Sequence, residues 1–218
     1  PYSFDHSLTV QSGGSLTSQP GVVFKPVRDS GTALRVYGSL EALGTAGNPV
    51  VFTSLKDDSV GGDSNNDGSA SSPAGGDWGT IRVYAGGSVT LSHTIVRYGG
   101  LYSCYPYDCY ANLRVEGGSL SLNDSTVSHS YADGIRGSGG TLTIRNSTVA
   151  HNARHGVNTY LGSVSISNSN IYGNGNYGIY NANTSITINA ENNWWGSDSG
   201  PAPYGSGNGI NYSTCWDP

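Results

Sequence analysis

The residues with the clearest capacity for chemistry lie in an Asp-, Asn- and Gly-rich segment at positions 56–77. Side-chain oxygens occupy every second position at Asp63, Asn65 and Asp67, and Gly68 follows directly. This alternation matches the first half of an EF-hand-type calcium loop, in which a tight turn aims several oxygens at one cation. The segment therefore predicts a structural calcium site that pins a long insert.

The rest of the ligand shell departs from the EF-hand pattern, because Ala74 stands where the twelfth-position glutamate is expected. A backbone carbonyl at Ser69 and nearby carboxylates must then supply the missing oxygens. The alternative is a solvated loop of turn residues without a cation. The predicted ligands are Asp57, Asp58, Asp63, Asn65, Asp67, Ser69 and Asp77.

Tyrosine is frequent, with 15 residues, and its rings concentrate in two segments. A tyrosine ring can stack on a sugar ring while its hydroxyl forms a hydrogen bond, so we expect contact with a polysaccharide or cell-surface glycan. The alternative is that the rings cover edges of the fold. The predicted ligand-binding residues are Tyr102, Tyr105, Tyr107, Tyr110, Tyr172, Tyr177 and Tyr180.

Three cysteines are present, and two of them lie close together in the segment SCYPYDCY. Cys104 and Cys109 are placed to form a small disulfide loop, which leaves Cys215 without a partner. A disulfide fits an oxidising compartment, so we expect an extracellular or cell-surface location. The alternative is three free thiols.

The elements that must position these residues are visible as a repeat of 22 residues. Apolar and polar residues alternate within each unit, which is the periodicity of strands. A unit of this length is too short for a strand and a crossover helix, but it fits one coil of a β-solenoid with about three short strands. The aliphatic columns are Leu120, Leu142, Val164 and Ile186; Leu122, Ile144, Ile166 and Ile188; Val127, Val149 and Ile171; and Ile135, Val157 and Ile179.

The repeat predicts an all-β chain that forms one parallel β-helix domain over residues 1–218. Two loop insertions interrupt the coils, at about 56–77 and 99–111, and a closing segment covers about 192–218. We also expect the chain to be part of a larger multidomain protein.

Four segments carry a family resemblance: LTVQSGGSLTSQPGVVF, GSLEALGTAGNPVVFTS, GGDWGTIRV and ENNWWG. They resemble bacterial secreted or surface proteins with right-handed parallel β-helix repeats, in the pectate-lyase-like superfamily. The resemblance implies a right-handed coil. That superfamily includes lyases, hydrolases, adhesins and phage tailspikes, so the resemblance implies a fold and leaves the function open.

Catalytic groups do not assemble into a recognisable set in the sequence. The acids on the regular coils are few, and Asp124 falls in a column with His93, Asn146 and Asn168 that suits a stacked turn. A lyase also needs a basic residue beside several acids, but the arginines Arg97, Arg114, Arg136, Arg145 and Arg154 are predicted to fall in different columns. We therefore expect no catalytic residues, with a polysaccharide lyase or glycoside hydrolase as the alternative.

Two further columns offer other chemistry. His129 and His151 are 22 residues apart, in a column with Tyr98 and Gly173, so the two imidazoles should stack in a turn; a metal would need a third ligand. Outward Ser and Thr residues form two files, which weakly resemble the ice-binding faces of β-solenoids. The files are Ser15 and Thr17, Ser88 and Thr90, Ser119 and Ser121, Thr141 and Thr143, Ser163 and Ser165, and Ser185 and Thr187.

The composition of the chain argues against some classes of partner. The net charge is −5 and no basic stripe is evident in the sequence, so nucleic acid is not an expected partner. No segment has the apolar length that crosses a membrane. Together these features predict a non-catalytic extracellular module for binding, adhesion or display, stabilised by calcium. Ice binding and a purely structural stalk are the lesser alternatives.

Overall fold

The computed structural model describes residues 1–27, 34–101, 111–183 and 185–211, and the backbone of Cys215 and Trp216. Within these residues the chain forms short strands and turns and contains no helix. The predicted all-β parallel solenoid is therefore confirmed.

The described residues form 21 strands. In chain order they are β1 (Tyr2–Phe4), β2 (Leu8–Val10), β3 (Ser15–Ser18), β4 (Val23–Pro26), β5 (Leu34–Val36), β6 (Ser39–Leu43), β7 (Val50–Phe52), β8 (Ile81–Tyr84), β9 (Ser88–Ser92), β10 (Thr94–Arg97), β11 (Ala111–Glu116), β12 (Ser119–Asn123), β13 (Thr126–Ser128), β14 (Asp133–Arg145), β15 (Thr148–Ala150), β16 (Val157–Ser167), β17 (Asn170–Tyr172), β18 (Tyr177–Asn181), β19 (Ile188–Asn189), β20 (Gly209–Asn211) and β21 (Cys215–Trp216).

These strands pair in parallel with the equivalent strand of the next coil and build three stacks. Stack 1 contains β1, β4, β7, β10, β13, β15 and β17. Stack 2 runs through β2, β5, β8, β11, β14, β16, β18 and β20. Stack 3 runs through β3, β6, β9, β12, β14, β16, β19 and β21. Because β14 and β16 are long enough to enter both stacks 2 and 3, those two stacks join as one sheet.

The registers confirm the four aliphatic columns across β12 to β18. The prediction is wrong at the last coil, where Val164 pairs with Ile188 instead of Ile186. The coil is two residues longer here, and the Ile186 N–H donates to the Asn183 carbonyl (3.2 Å). The same register brings buried Ala190 into the second column, the place predicted for Ile188.

One turn column is explained by backbone conformation. His93, Asp124, Asn146 and Asn168 all have positive φ, between 43° and 52°. Asn and Asp tolerate the left-handed region better than most residues because their short polar side chains bond locally. The predicted stacked turn is confirmed, and Asp124 is one of its members.

Buried amides close another set of turns. The backbone N–H of Ser130 donates to Asn152 Oδ1 (3.1 Å), that of Asn152 to Asn174 Oδ1 (3.2 Å), and that of Asn174 to Asn208 Oδ1 (3.0 Å). Each amide thereby supplies an acceptor to a turn one coil away, which satisfies backbone donors that have no strand partner. In the described part of the chain, no helix is long and apolar enough to span a bilayer.

Candidate functional site

A long connection, residues 53–80, joins β7 of stack 1 to β8 of stack 2 at one corner of the solenoid, and residues 98–101 follow β10 at the same corner. The residues beside these connections are the natural place to look for a site, because the regular coils form the rigid framework that positions loops.

Aromatic rings line this corner in one continuous row, here called the aromatic ladder: Tyr98, His129, His151, Tyr172 and Trp194. Successive ring centroids are 5.3, 5.7, 5.1 and 5.2 Å apart. His129 and His151 are exposed, and 44% of Trp194 is exposed. The row thus offers one ring per coil over five coils.

The ladder depends on an unusual backbone. Tyr98, His129 and His151 all have positive φ, between 52° and 65°, and Gly173 continues the column at 63°. A Cβ on Gly173 would lie 2.7 Å from His151 Nδ1, so glycine leaves the space that the imidazole occupies. Tyr172, one residue earlier, continues the row of rings. The predicted stack of the two histidines is confirmed.

A groove of about 360 Å³ lies beside the ladder. It is lined by Pro73, Ala74 and Gly75 of the insert and by Tyr98, His129 and His151 of the ladder, and Tyr131 also lines it. The insert is bonded to the ladder's coil, because the Asp77 N–H donates to the Tyr98 carbonyl (3.0 Å). Burial lowers the pKa of His129, and the positive charges of His151 and Arg97 lower it further.

The start and end of the insert are fixed by two buried aspartates. Asp77 accepts hydrogen bonds from Ser54 Oγ (2.7 Å) and from the Ala74 N–H (2.8 Å), and its carboxylate pairs with Lys56 Nζ (3.0 Å). These donors occupy a carboxylate that was predicted to bind calcium. The structure places Asp77 as an anchor of the insert.

Asp57 is held in the same manner. It accepts hydrogen bonds from Thr53 and from Ser59 (2.6 Å) and forms an ion pair with Arg97 (2.6 Å). Burial raises the pKa of Asp57, but these hydrogen bonds and the Arg97 charge outweigh it, so the pKa lies below its usual value. Beneath it, buried Lys25 donates to the carbonyls of Asp57 (2.9 Å) and Gly62 (2.7 Å).

Three of the other predicted calcium ligands converge. Asp58, Asp63 and Asp67 each place a carboxylate oxygen within 4.8 Å of the other two. The loop is shaped by Asp63, which accepts hydrogen bonds from the Asp67 N–H (3.2 Å) and the Gly68 N–H (2.8 Å).

The same cluster contains oxygens without donors. The Oδ1 atoms of Asp58, Asn65 and Asp67 are buried and have no hydrogen-bond partner. Ser69 is exposed beside the loop. The structure thus brings Asp58, Asp63, Asn65 and Asp67 together, whereas the carboxylates of Asp57 and Asp77 bond to other residues at the two ends of the insert.

The predicted tyrosine cluster is divided between two places. Tyr172 belongs to the aromatic ladder, whereas Tyr177 and Tyr180 pack around His155, with ring centroids 5.7 and 4.6 Å from the imidazole. Burial lowers the pKa of His155, although the nearby Asp133 carboxylate acts in the opposite direction. The other predicted site residues, Tyr102, Tyr105, Tyr107, Tyr110, Cys104 and Cys109, lie outside the described residues.

The prediction for the arginines is wrong for Arg114 and Arg136. The two are in register on β11 and β14, and Arg82 and Arg35 continue the same column on β8 and β5. Glu116 pairs with this column, because its carboxylate lies 2.7 Å from Arg82 and 2.5 Å from Arg114.

The outward hydroxyl files are in register on stack 3, with Ser39 and Glu41 added between the first two predicted coils. Glu41 places a carboxylate in the second file. The last predicted member, Ser185, is displaced because of the two-residue shift described above.

Parallel stacks with 22-residue coils define a β-solenoid, and a family model identifies its kind. The model described as "Right handed beta helix region" matches residues 64–195. The match covers more than half of the chain, so this protein belongs to the right-handed β-helix family. No curated protein and no solved structure matches the chain.

Proposed function

We propose that this chain is a non-catalytic module, extracellular or at a cell surface, that binds a glycan along the aromatic ladder. Calcium in the insert would order the wall of the groove. The observation that carries the proposal is the row of five partly exposed rings, three of which line a groove.

The spacing of the rings suits a linear polymer. Coils of a β-solenoid are separated by about 4.8 Å, so four steps extend roughly 19 Å along the axis. A glycan chain lying along the ladder would meet one ring per coil, and the part of it beside Tyr98, His129 and His151 would lie in the groove. Aromatic faces bind the apolar faces of sugar rings, and the polar atoms of Tyr, His and Trp side chains add hydrogen bonds.

The lowered pKa of His129 supports the same use. A neutral imidazole at pH 7 presents an aromatic face together with one donor and one acceptor, which suits a sugar hydroxyl.

The calcium part of the proposal rests on the buried oxygens of Asp58, Asn65 and Asp67. A buried polar atom without a partner is costly, and the nearby carboxylates repel one another. Calcium binds oxygens at about 2.3–2.6 Å, so oxygens on opposite sides of the ion are about 5 Å apart. Carboxylate oxygens that all lie within 4.8 Å of one another fit one such ion.

The test is a glycan array followed by affinity measurements on the wild type, Trp194→Ala and Tyr172→Ala. Each ladder variant is expected to lose about tenfold in affinity, which corresponds to about 1.4 kcal/mol. Tyr160→Ala is the matched control, because Tyr160 is exposed and lies off the ladder. The proposal fails if no glycan binds, or if the ladder variants bind like the wild type.

The same glycans also test the enzymatic alternative. Release of reducing ends or of unsaturated products during incubation would identify a hydrolase or a lyase and would contradict a non-catalytic module.

A further inference from the structure

A second surface of the solenoid carries a row of arginines. Arg35, Arg82, Arg114 and Arg136 occupy equivalent positions on β5, β8, β11 and β14, and each is in register with the next. We call this row the arginine strip. Adjacent strands are about 4.8 Å apart, so the strip presents one guanidinium per coil along the axis.

Positive charge on the strip is only partly compensated. Glu116 contacts Arg82 and Arg114, whereas Arg35 and Arg136 form no ion pair with any residue that the structure describes. Four arginines and one glutamate leave a local charge of +3 on a chain whose net charge is −5. Like charges at this spacing repel one another, and a bound anion would relieve the repulsion.

Arg114 gives an independent reason to expect an anionic ligand. Its side chain is 12% exposed, and its Nη1 atom is buried without a hydrogen-bond acceptor. Burial lowers the pKa of Arg114; Glu116 opposes this, while the charges of Arg82 and Arg136 add to it. A buried donor on a charged group normally has an acceptor, so this position favours an oxyanion as a ligand.

Aromatic rings flank one end of the strip. Tyr37 and Tyr84 stack with centroids 4.2 Å apart and planes within 6° of parallel, and the Arg82 guanidinium lies 5.0 Å from the Tyr84 centroid. Tyr37 is exposed, so the pair offers a platform for a sugar ring beside the cationic groups.

We infer that the arginine strip binds an acidic polysaccharide whose carboxylate or sulfate groups lie along the solenoid axis. Arg82 is buried and held by Glu116, so it supports the strip. Arg35, Arg114 and Arg136 would contact the anionic groups, because a guanidinium forks two donors toward one oxyanion.

The acidic remainder of the chain disfavours nucleic acid, which proteins usually bind with a basic domain. The strip lies on stack 2 and shares no residue with the aromatic ladder, so this inference stands independently of the function proposed above.

The experiment measures binding of the whole chain to heparin, polygalacturonate, neutral dextran and oligo-dT at two salt concentrations. Heparin and polygalacturonate separate sulfate from carboxylate recognition. We expect binding to at least one of these two acidic glycans, and salt should weaken it. Any binding of neutral dextran should be unaffected by substitutions in the strip.

Variants assign the site. Arg35→Gln combined with Arg136→Gln is expected to lower affinity for the acidic glycan at least tenfold. Arg145→Gln is the matched control, since Arg145 is an exposed arginine on the same strand as Arg136 and outside the strip. Glu116→Gln is expected to raise affinity because it removes the competing carboxylate.

Several outcomes would overturn the inference: no binding of either acidic glycan, equal losses in the Arg145→Gln control, or tighter binding of oligo-dT than of both glycans. Melting curves verify that each variant folds, and Arg136→Lys supplies a milder change that keeps the charge and loses the fork. Trp194→Ala should bind the acidic glycan normally, so failure of the strip and failure of the ladder can be distinguished.

Discussion

Removal of one carboxylate from the insert tests the proposed calcium site most directly. Asp67→Asn keeps the size and shape of the side chain but removes one of the three charges that lie within 4.8 Å of one another. Two unit charges at that distance repel by about 1 kcal/mol in water. The variant should therefore melt at the same temperature as the wild type in chelator, or slightly higher.

Addition of calcium should raise the melting temperature of the wild type more than that of Asp67→Asn. Extracellular calcium sites have dissociation constants of about 10⁻⁴ to 10⁻³ M. At about 10 mM calcium, such affinities stabilise the folded state by about 1.4 to 2.7 kcal/mol. For a domain of this size the wild-type midpoint should rise by roughly 3–11 °C, and that of Asp67→Asn should rise much less.

The assay is thermal unfolding monitored by circular dichroism, once in calcium and once in EDTA. Asp198→Asn is the matched control, since Asp198 is exposed and lies outside the insert; it should keep the full increment. Asp77→Asn should melt earlier under both conditions but also keep the increment, because Asp77 anchors Lys56 and Ser54. The reasoning is refuted if the wild type melts at the same temperature in EDTA as in calcium, or if calcium raises the melting temperature of Asp67→Asn as much as that of the wild type.

Two further predictions concern buried polar groups. Asn152→Ala should lower the free energy of unfolding in urea by about 1–3 kcal/mol, because the buried Ser130 N–H loses its acceptor; a loss below 0.5 kcal/mol, on the order of a surface change, would contradict this. His155 has a pKa below 6.5 in the folded protein, so its contribution to stability is full above that pH and is lost as the pH falls toward the lowered value. The melting temperature should fall between about pH 7 and pH 5, and His155→Phe should fall less; equal slopes would argue against this assignment.

Regular features of the solenoid were accessible from the sequence because they are local or periodic. Aliphatic columns repeat in phase, since every coil must bury the same positions. Among the aliphatic columns, the prediction failed at the last coil, which is two residues longer than the regular coils. Ile186 and Ile188 both alternate with polar residues, so the pattern fits either pairing with Val164 and does not reveal the extra two residues.

In the insert, too, the local pattern was predictable from the sequence and the long-range contacts were not. Alternation over Asp63, Asn65 and Asp67 is a local pattern, and the structure does bring oxygens of this loop together. Asp57 and Asp77 are close in sequence, but the donors that they satisfy come from other parts of the chain. Arg97, for example, reaches Asp57 from the next coil of stack 1.

The arginine strip could not be recognised from spacing. Its members are separated by 47, 32 and 22 residues, because two irregular connections of different length intervene. The aromatic ladder was visible only in part: the two histidines share the 22-residue period, whereas Tyr172 and Trp194 join them from neighbouring positions.

The sequence by itself determined the solenoid, its period and the place of its interruptions, because burial of a repeated apolar side imposes a period that any chain of this kind must display. Tertiary structure decided which side chains meet across coils. The lengths of the inserts, the left-handed turns and the register shifts determine those contacts, and none of these features produces a fixed spacing between residues in the sequence. The proposed calcium loop depends on the first kind of information, whereas the aromatic ladder and the arginine strip depend mainly on the second.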